Sequence, residues 1–292
     1  MTDGETPETT AEEAFALVGN ELRAGILRVL GETPHEGVSF SELRERVDSD
    51  VDSGQFNYHL QKLVGPFVEK RDDGYVLRPP GVALYRAIKA GAFSRSLTVE
   101  DFDAGFDCYF CETPVEAAYD DGSFTMTCPG CGHLYARTTL PPSAVEGDRS
   151  ELLTRVDQYN RRQISMSADG VCPVCVNPMS LEFLESGAVA WAEGAERLDV
   201  FCRRACDHCG REQYITVGLA LLHHPAVVSF FHDHSVDVTA VPHWKLEFVM
   251  TDNYLTVRSR DPWAFELDVP CDDETLTLVV DEALQVVEER RS

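Results

Sequence analysis

Cys108-Tyr109-Phe110-Cys111 and, after sixteen intervening residues, Cys128-Pro129-Gly130-Cys131-Gly132 decide how the 292-residue chain is organised. Two CxxC turns at this spacing place four thiolates tetrahedrally around one zinc ion. Each turn directs backbone amides toward its sulfurs, and a glycine after it accommodates a positive φ. The device returns as Cys172-Pro173-Val174-Cys175 with Cys206-Asp207-His208-Cys209-Gly210, thirty residues separating the pairs. That gap is expected to hold a hairpin of residues 188–191 with 197–201. Cys202-x3-Cys206 is also a usable spacing, but the CxxCG form of Cys206 and Cys209 matches the first set better, which leaves Cys202 a bystander. The expectation is two zinc ions per chain, one on Cys108, Cys111, Cys128 and Cys131 and one on Cys172, Cys175, Cys206 and Cys209. Four thiolates leave no open coordination position, which argues for structure over catalysis. Disulfides or free buried thiols are the competing reading, disfavoured for an intracellular chain. Redox or metal sensing at these sites is the functional alternative.

Upstream of the cysteines, residues 12–30 carry Phe15, Leu22, Ile26 and Val29 at helical spacing and stop at Gly31. Residues 1–11 are polar, acidic and aperiodic, and read as a mobile tail. Ser39 stands three residues before Glu42, a capping box for a short helix with Phe40, Leu43 and Val47 on its apolar stripe. Ser53 is expected to cap a third helix whose stripe is Phe56, Leu60 and Leu63. Residues 67–71 and 75–78 flank Asp72-Asp73-Gly74, the pattern of a hairpin, which Pro79-Pro80 closes. Residues 82–90 read as one more helix.

This order of three helices, a two-stranded wing and a helix resembles the winged helix-turn-helix domain of ArsR-like regulators across residues 12–92. The sharpest segment is Gln55-Phe56-Asn57-Tyr58-His59-Leu60-Gln61-Lys62-Leu63, similar to that family's recognition helix. The paired cysteines that metal sensors of the family carry in this domain are missing, so metal sensing does not carry over. On a helical wheel Asn57, Tyr58, Gln61 and Lys62 face outward. Asn57 and Gln61 can pair bidentately with adenine and Tyr58 can reach phosphate or a thymine methyl, while Ser53 and Gln55 sit at a helix start that attracts phosphate. Lys70, Arg71 and Arg78 on the wing are expected to meet backbone phosphates, and His59 to be a hydrogen-bonded, half-buried residue. The competing reading is an amphipathic helix that shows water its polar face.

Charge favours the first reading. Residues 53–90 hold six basic and three acidic residues, whereas the whole chain holds 25 basic and 50 acidic. Only four residues are lysine (Lys62, Lys70, Lys89 and Lys245). Such lysine-poor acidic surfaces look like those of extreme halophiles, whose concentrated salt shortens the Debye length to about 3 Å or less. The counterion-release contribution to DNA binding is then small.

After a polar stretch over residues 93–107, the organisation reads as zinc ribbon 1 (106–140), a connecting helix (149–165), zinc ribbon 2 (170–217) and a small carboxy-terminal α/β domain (218–292). In the last, a helix over 219–232 with Pro225 as its kink or start precedes strands at 245–250, 254–258, 264–269 and 275–280. His223, His224, His232, His234 and His243 crowd this part, at spacings that favour packing over metal binding.

The expected fold class is therefore multidomain α+β. No apolar run of spanning length and no signal peptide is visible, which implies a cytoplasmic protein off the membrane. No phosphate loop, dinucleotide fingerprint or HExxH occurs, so enzymatic function is not expected. The leading functional expectation is a homodimeric regulator that binds double-stranded DNA, with a carboxy-terminal half open to an effector or protein partner. The rival is a protein-binding adaptor of the transcription machinery.

Overall fold

The computed structural model describes residues 10–47, 50–93, 95–185 and 197–292. The chain divides into two compact units: the described residues up to Arg95 together with Pro141–Ser143, and Ser96–Leu140 together with Ala144–Ser292. Both mix helices with antiparallel sheet, an α+β architecture. Of the tail expected over residues 1–11, residues 1–9 lie outside the described residues, as does the hairpin arm at 188–191, while Thr10 caps the first helix and Ala11 opens it.

The first unit runs α1 (Ala11–Val18), α2 (Glu21–Glu32), α3 (Phe40–Val47), α4 (Ser53–Leu63), β1 (Val68–Arg71), β2 (Gly74–Leu77) and α5 (Pro79–Lys89). The one helix expected over 12–30 is two, because Asn20 turns extended and its side chain caps α2 at the Arg23 N–H, 3.2 Å away. Ser39 does cap α3, its Oγ accepting from Glu42 N–H at 3.2 Å. Pro79 and Pro80 open α5 instead of merely closing the hairpin, since proline at the first helical positions forfeits no hydrogen bond. β1 and β2 pair from Val68–Leu77 to Arg71–Gly74, and Val38 adds a bridge to Tyr75. Ile26, Leu27, Leu30, Leu43, Phe56 and Leu60 close the core of this unit. Gly31 sits where α2 meets α5: a Cβ there would lie 2.3 Å from the Tyr85 ring.

Among its described residues the second unit holds three sheets. β3 (Thr98–Asp107), β4 (Pro114–Asp120), β5 (Ser123–Thr127) and β6 (Leu134–Thr139) form a meander. β3 occupies most of the stretch read as merely polar, because its inward residues are spaced by bulges between Val99 and Phe102 and between Asp103 and Asp107. α6 (Arg149–Ala168) follows, then β7 (Ser180–Glu185), β8 (Val200–Ala205) and β9 (Glu212–Ile215). The described partner of β8 is β7, with Phe183 opposite Cys202. Next come α7 (Val217–Leu221) and α8 (Pro225–Asp233), two helices where one over 219–232 was expected, with Pro225 as the start of the second. The strand expected at 245–250 is helical: a 3-10 turn at His243–Lys245 leads into α9 (Glu247–Met250), and Trp244, Phe248 and Val249 are buried there together. Period-two apolarity over so short a segment does not distinguish one helical turn from a strand. A closing meander of β10 (Leu255–Arg260), β11 (Trp263–Cys271), β12 (Glu274–Val280) and β13 (Val286–Arg291) ends the chain. One buried apolar cluster, running from Val99 to Leu284, serves all three sheets.

A charged group sits inside this unit. Asp157 on α6 accepts from Arg161 Nε at 2.9 Å, and from the backbone N–H and the Nδ1 of His243 at 2.8 and 2.6 Å. Burial by itself pushes the Asp157 carboxyl up, but the His243 hydrogen bonds and the Arg161 charge outweigh it and hold the pKa below the ordinary aspartate value. Burial lowers His243, so the ring is neutral and donates from Nδ1. Replacing Asp157 with Ala strands a guanidinium whose side chain is 2 % exposed. The expected cost is about 3–5 kcal/mol, against less than about 1 kcal/mol for Glu151→Gln in the solvent-facing pair with Arg155. Denaturant melts of the two variants check this. Because the folded pKa is depressed, the carboxylate's contribution is complete above the ordinary aspartate range and is lost as pH falls through the depressed value.

Candidate functional site

Four backbone turns of one design carry the eight cysteines. In each, the N–H after the second cysteine bonds the carbonyl of the first: Glu112 to Cys108 and Val176 to Cys172 at 2.9 Å, Gly132 to Cys128 at 2.8 Å, Gly210 to Cys206 at 2.9 Å. The N–H of the first cysteine is satisfied in turn by a carbonyl five residues on, that of Thr113, His133, Asn177 or Arg211, each at 2.9 Å. This geometry throws the residue after the second cysteine into the left-handed region, with φ of 75° at Gly132, 73° at Gly210, 59° at Glu112 and 62° at Val176. Glycine meets that demand without strain in two of the turns. In the other two a side chain bears it, and for the β-branched Val176 the conformation is costly. The CxxCG pattern marks two turns in the sequence; the other two are the same turns with Glu112 and Val176 in the glycine's place.

The turns meet in pairs. Cys108, Cys111, Cys128 and Cys131 form one cluster and Cys172, Cys175, Cys206 and Cys209 another, the sulfurs of each lying within 4.8 Å of one another. These are the two sets that the spacing predicts. Closest S···S separations are 3.4 Å for Cys111–Cys128 and 3.6 Å for Cys108–Cys131, then 3.5 Å for Cys175–Cys206 and 3.6 Å for Cys172–Cys209. A disulfide needs about 2.05 Å. A zinc tetrahedron with Zn–S of about 2.3 Å has edges of about 3.8 Å, so the clusters are compatible with zinc. The surroundings treat these thiols unequally. The hydrogen bond with Thr113, 3.4 Å from its Sγ, pulls Cys111 down to about 6, and the Asn177 backbone N–H does the same for Cys175, whereas burial pushes Cys128 up to about 12 and raises Cys131. The Tyr135 hydroxyl lies 3.2 Å from Cys108 Sγ and accepts from Tyr109 N–H at 2.9 Å, which fixes the first turn against β6. Gly130 is required for closeness: a Cβ there would come within 2.4 Å of Thr113 Oγ1.

Cys202, on β8, and Cys271, on β11, lie outside both clusters. Burial pushes the Cys202 thiol up to about 12, which keeps it protonated and inert. His223, His224, His232, His234 and His243 belong to no metal-ligand cluster among the described residues.

In the first unit, Phe56, Leu60 and Leu63 of α4 are buried while Gln55, Asn57, Tyr58, Gln61 and Lys62 are exposed. Tyr58 is 58 % exposed, with Lys62 Nζ 5.6 Å from its ring centre, and Gln61 Nε2 lies 3.5 Å from Asn57 Oδ1. The helix start differs from expectation. Asp52, not Ser53, is the cap, and its carboxylate takes the N–H groups of Gly54 and Gln55 at 2.8 and 2.9 Å. Ser53 is the first helical residue. A carboxylate there occupies and neutralises the donors that would attract phosphate. On the hairpin Lys70 is exposed, Arg71 is held by Glu69 at 3.1 Å, and Arg78 is half-buried at the strand's end. His59 is half-buried, but its Nδ1 has no hydrogen-bond partner and its ring stands edge-on to Tyr58.

No helix among the described residues is long and apolar enough to cross a membrane. The chain is thus an α+β protein of two compact units, the second of which carries two tetracysteine sites that can hold metal. Residues 105–286 match the family described as Domain of unknown function (DUF7351), and the chain belongs to it. Residues 11–88 match a second one, Domain of unknown function (DUF7347). No curated protein and no solved structure matches the chain.

Metal analysis of the purified chain should return two zinc ions. Cys131→Ser and Cys206→Ser should each lower the count by one, while Cys202→Ser and Cys271→Ser leave it at two. Val176→Gly, which removes a strained side chain, should bind as much zinc as the parent and melt no lower. Gly132→Val introduces that strain and should cost about 1–3 kcal/mol in a denaturant melt.

Proposed function

We propose that the chain is a sequence-specific DNA-binding transcription regulator whose first unit is an ArsR-like winged helix-turn-helix. In this reading α4 reads bases, the β1–β2 hairpin is the wing, and two structural zinc ions brace the second unit through Cys108, Cys111, Cys128 and Cys131 and through Cys172, Cys175, Cys206 and Cys209. The observation that carries it is the split face of α4: three core residues at 0 % exposure behind a row of exposed amides, a tyrosine and a lysine. That row lies in residues 53–90, where basic residues outnumber acidic ones in a chain that is strongly acidic as a whole. With Asp52 at its start, α4 approaches DNA with its middle turns, Asn57 to Gln61, rather than with its N-terminus. A homodimer fits this reading, because proteins of this kind read two symmetric half-sites. Phe15 on α1, 76 % exposed, is an apolar side chain available for such a contact. The second reading, an adaptor that docks on proteins, is favoured by Val174 and Val176, which stand 64 % and 71 % exposed on one cysteine turn.

The test is a binding titration in molar potassium chloride against a duplex retained by the parent protein from genomic fragments, and against a scrambled duplex. Asn57→Ala and Gln61→Ala should each weaken binding to the retained duplex by about 1–3 kcal/mol and barely move the melting curve. Arg71→Ala should weaken both duplexes alike, by less, because Glu69 already holds the guanidinium. Leu60→Ala should lower stability by about 2–5 kcal/mol. Retention of no fragment, or unchanged binding by the Asn57 and Gln61 variants, transfers the case to the adaptor.

A further inference from the structure

The second unit contains a cavity of about 440 Å³ bounded by β6, α6, β8 and β9. Its volume is inside the roughly 300–1,000 Å³ typical of small-molecule sites. The apolar part of its wall is made by residues such as Ile164, Leu198, Phe201 and Leu219. The polar part is unusual for this chain in its sign. Arg211 lines it, with the exposed Arg137 at its rim, and the one carboxylate among the described lining residues, Glu212, is bound by Arg203 and by the Tyr214 hydroxyl at 2.9 Å. The described lining thus carries a positive balance in a chain of net charge −25.

Three lining groups have hydrogen-bonding capacity that the described residues leave unused. Asn160 is 8 % exposed, and its side-chain amide makes no hydrogen bond to the described protein. Arg211 Nε is buried without a partner, and its Nη2 has only a long contact of 3.5 Å to Gln163 Oε1. His243, its Nδ1 committed to Asp157, keeps Nε2 as a free acceptor. Buried polar groups are normally satisfied, so such a set marks the place of a partner.

We propose that this cavity is a binding site for a small organic monocarboxylate with an aromatic or branched aliphatic body. The Arg211 guanidinium presents the parallel N–H donors that a carboxylate accepts. Asn160 and Gln163, one helical turn apart on α6, supply further amide donors. Ile164, Phe201 and Leu219 cover the hydrocarbon. Phosphate fits less well: its second charge would be desolvated against an apolar wall with one interior guanidinium and no glycine loop of backbone N–H groups. The site stands on the cavity alone, and its test involves no DNA, so it survives or fails separately from the DNA-binding reading.

The experiment is calorimetric titration of the zinc-loaded full chain, in molar potassium chloride, with benzoate, isovalerate, benzamide and inorganic phosphate. Benzoate or isovalerate should bind at one site per chain, with benzamide, the neutral isostere of benzoate, at least tenfold weaker. Asn160→Leu and Arg211→Gln should each weaken the carboxylate at least tenfold, and Arg155→Gln, on the exposed side of α6, should leave it unchanged. Arg211 neighbours a cysteine turn. If its variant loses zinc, Asn160→Leu and the comparison of benzoate with benzamide decide alone. Absence of binding by both carboxylates, equal binding of benzoate and benzamide, displacement of benzoate by phosphate, or indifference to Asn160→Leu overturns the proposal.

Discussion

Eight sulfurs in two groups of four are the constraint from which the second unit is built. Sulfurs drawn this close without disulfide bonds are stable together as thiolates only around a cation, because four negative charges at such separations repel strongly. Each cluster joins a turn on one side of a sheet to a turn from a strand well separated in sequence. The cysteine turns are the links from β3 to β4, β5 to β6, α6 to β7 and β8 to β9, so that each cluster ties two such links together and offsets the entropy of ordering them.

Helix α6 lies between the two cysteine-bearing sheets in sequence and bears a buried charge that ordinary helices avoid. Asp157, Arg161 and His243 fix one face of it to the segment that leads into α9. An apolar replacement of the whole group would satisfy stability equally well. What the charged group adds is a fixed ring orientation for His243 and a fixed rotation of α6 about its axis. Asn160 and Gln163 follow Asp157 by about one and about two turns on the same helix, and the direction in which they point is set by that anchor.

What the sequence disclosed depended on how local the signal was. The eight cysteines were legible because a CxxC turn is a complete unit of structure in four residues, and Gly132 and Gly210 advertised its left-handed exit. Val176 and Glu112 hid the same exit behind side chains. The core stripe of α4 was legible from Phe56, Leu60 and Leu63, but its cap was misassigned to Ser53, since Asp52 and Ser53 are both good caps and neighbouring positions compete. The strand expected around Phe248 failed for a different reason. Lys245 and Glu247 alternate with apolar neighbours as they would in a strand, and over about six residues that alternation fits one helical turn as well, with Trp244, Phe248 and Val249 buried. β3 and β13 were missed because their sequences, rich in Asp, Glu and Arg, look like surface loops; their strand form comes from the ladder beside them. The cavity could not be foreseen at all, since its walls converge from β6, α6, β8 and β9.

The glycine at position 31 has a consequence of another kind. Its missing side chain is the space that the ring of Tyr85 occupies, so the two residues share one volume and neither can be varied alone. Alanine at 31 is compatible with the same spacing of α2 and α5 only if the ring at 85 shrinks, and a smaller residue at 85 leaves a void unless 31 grows. Among natural relatives these two positions should therefore drift as a pair, a bulky ring facing glycine or a small aliphatic residue facing a larger partner. The distance between the two helices is in that sense encoded as a sum of two side chains and not as the identity of either.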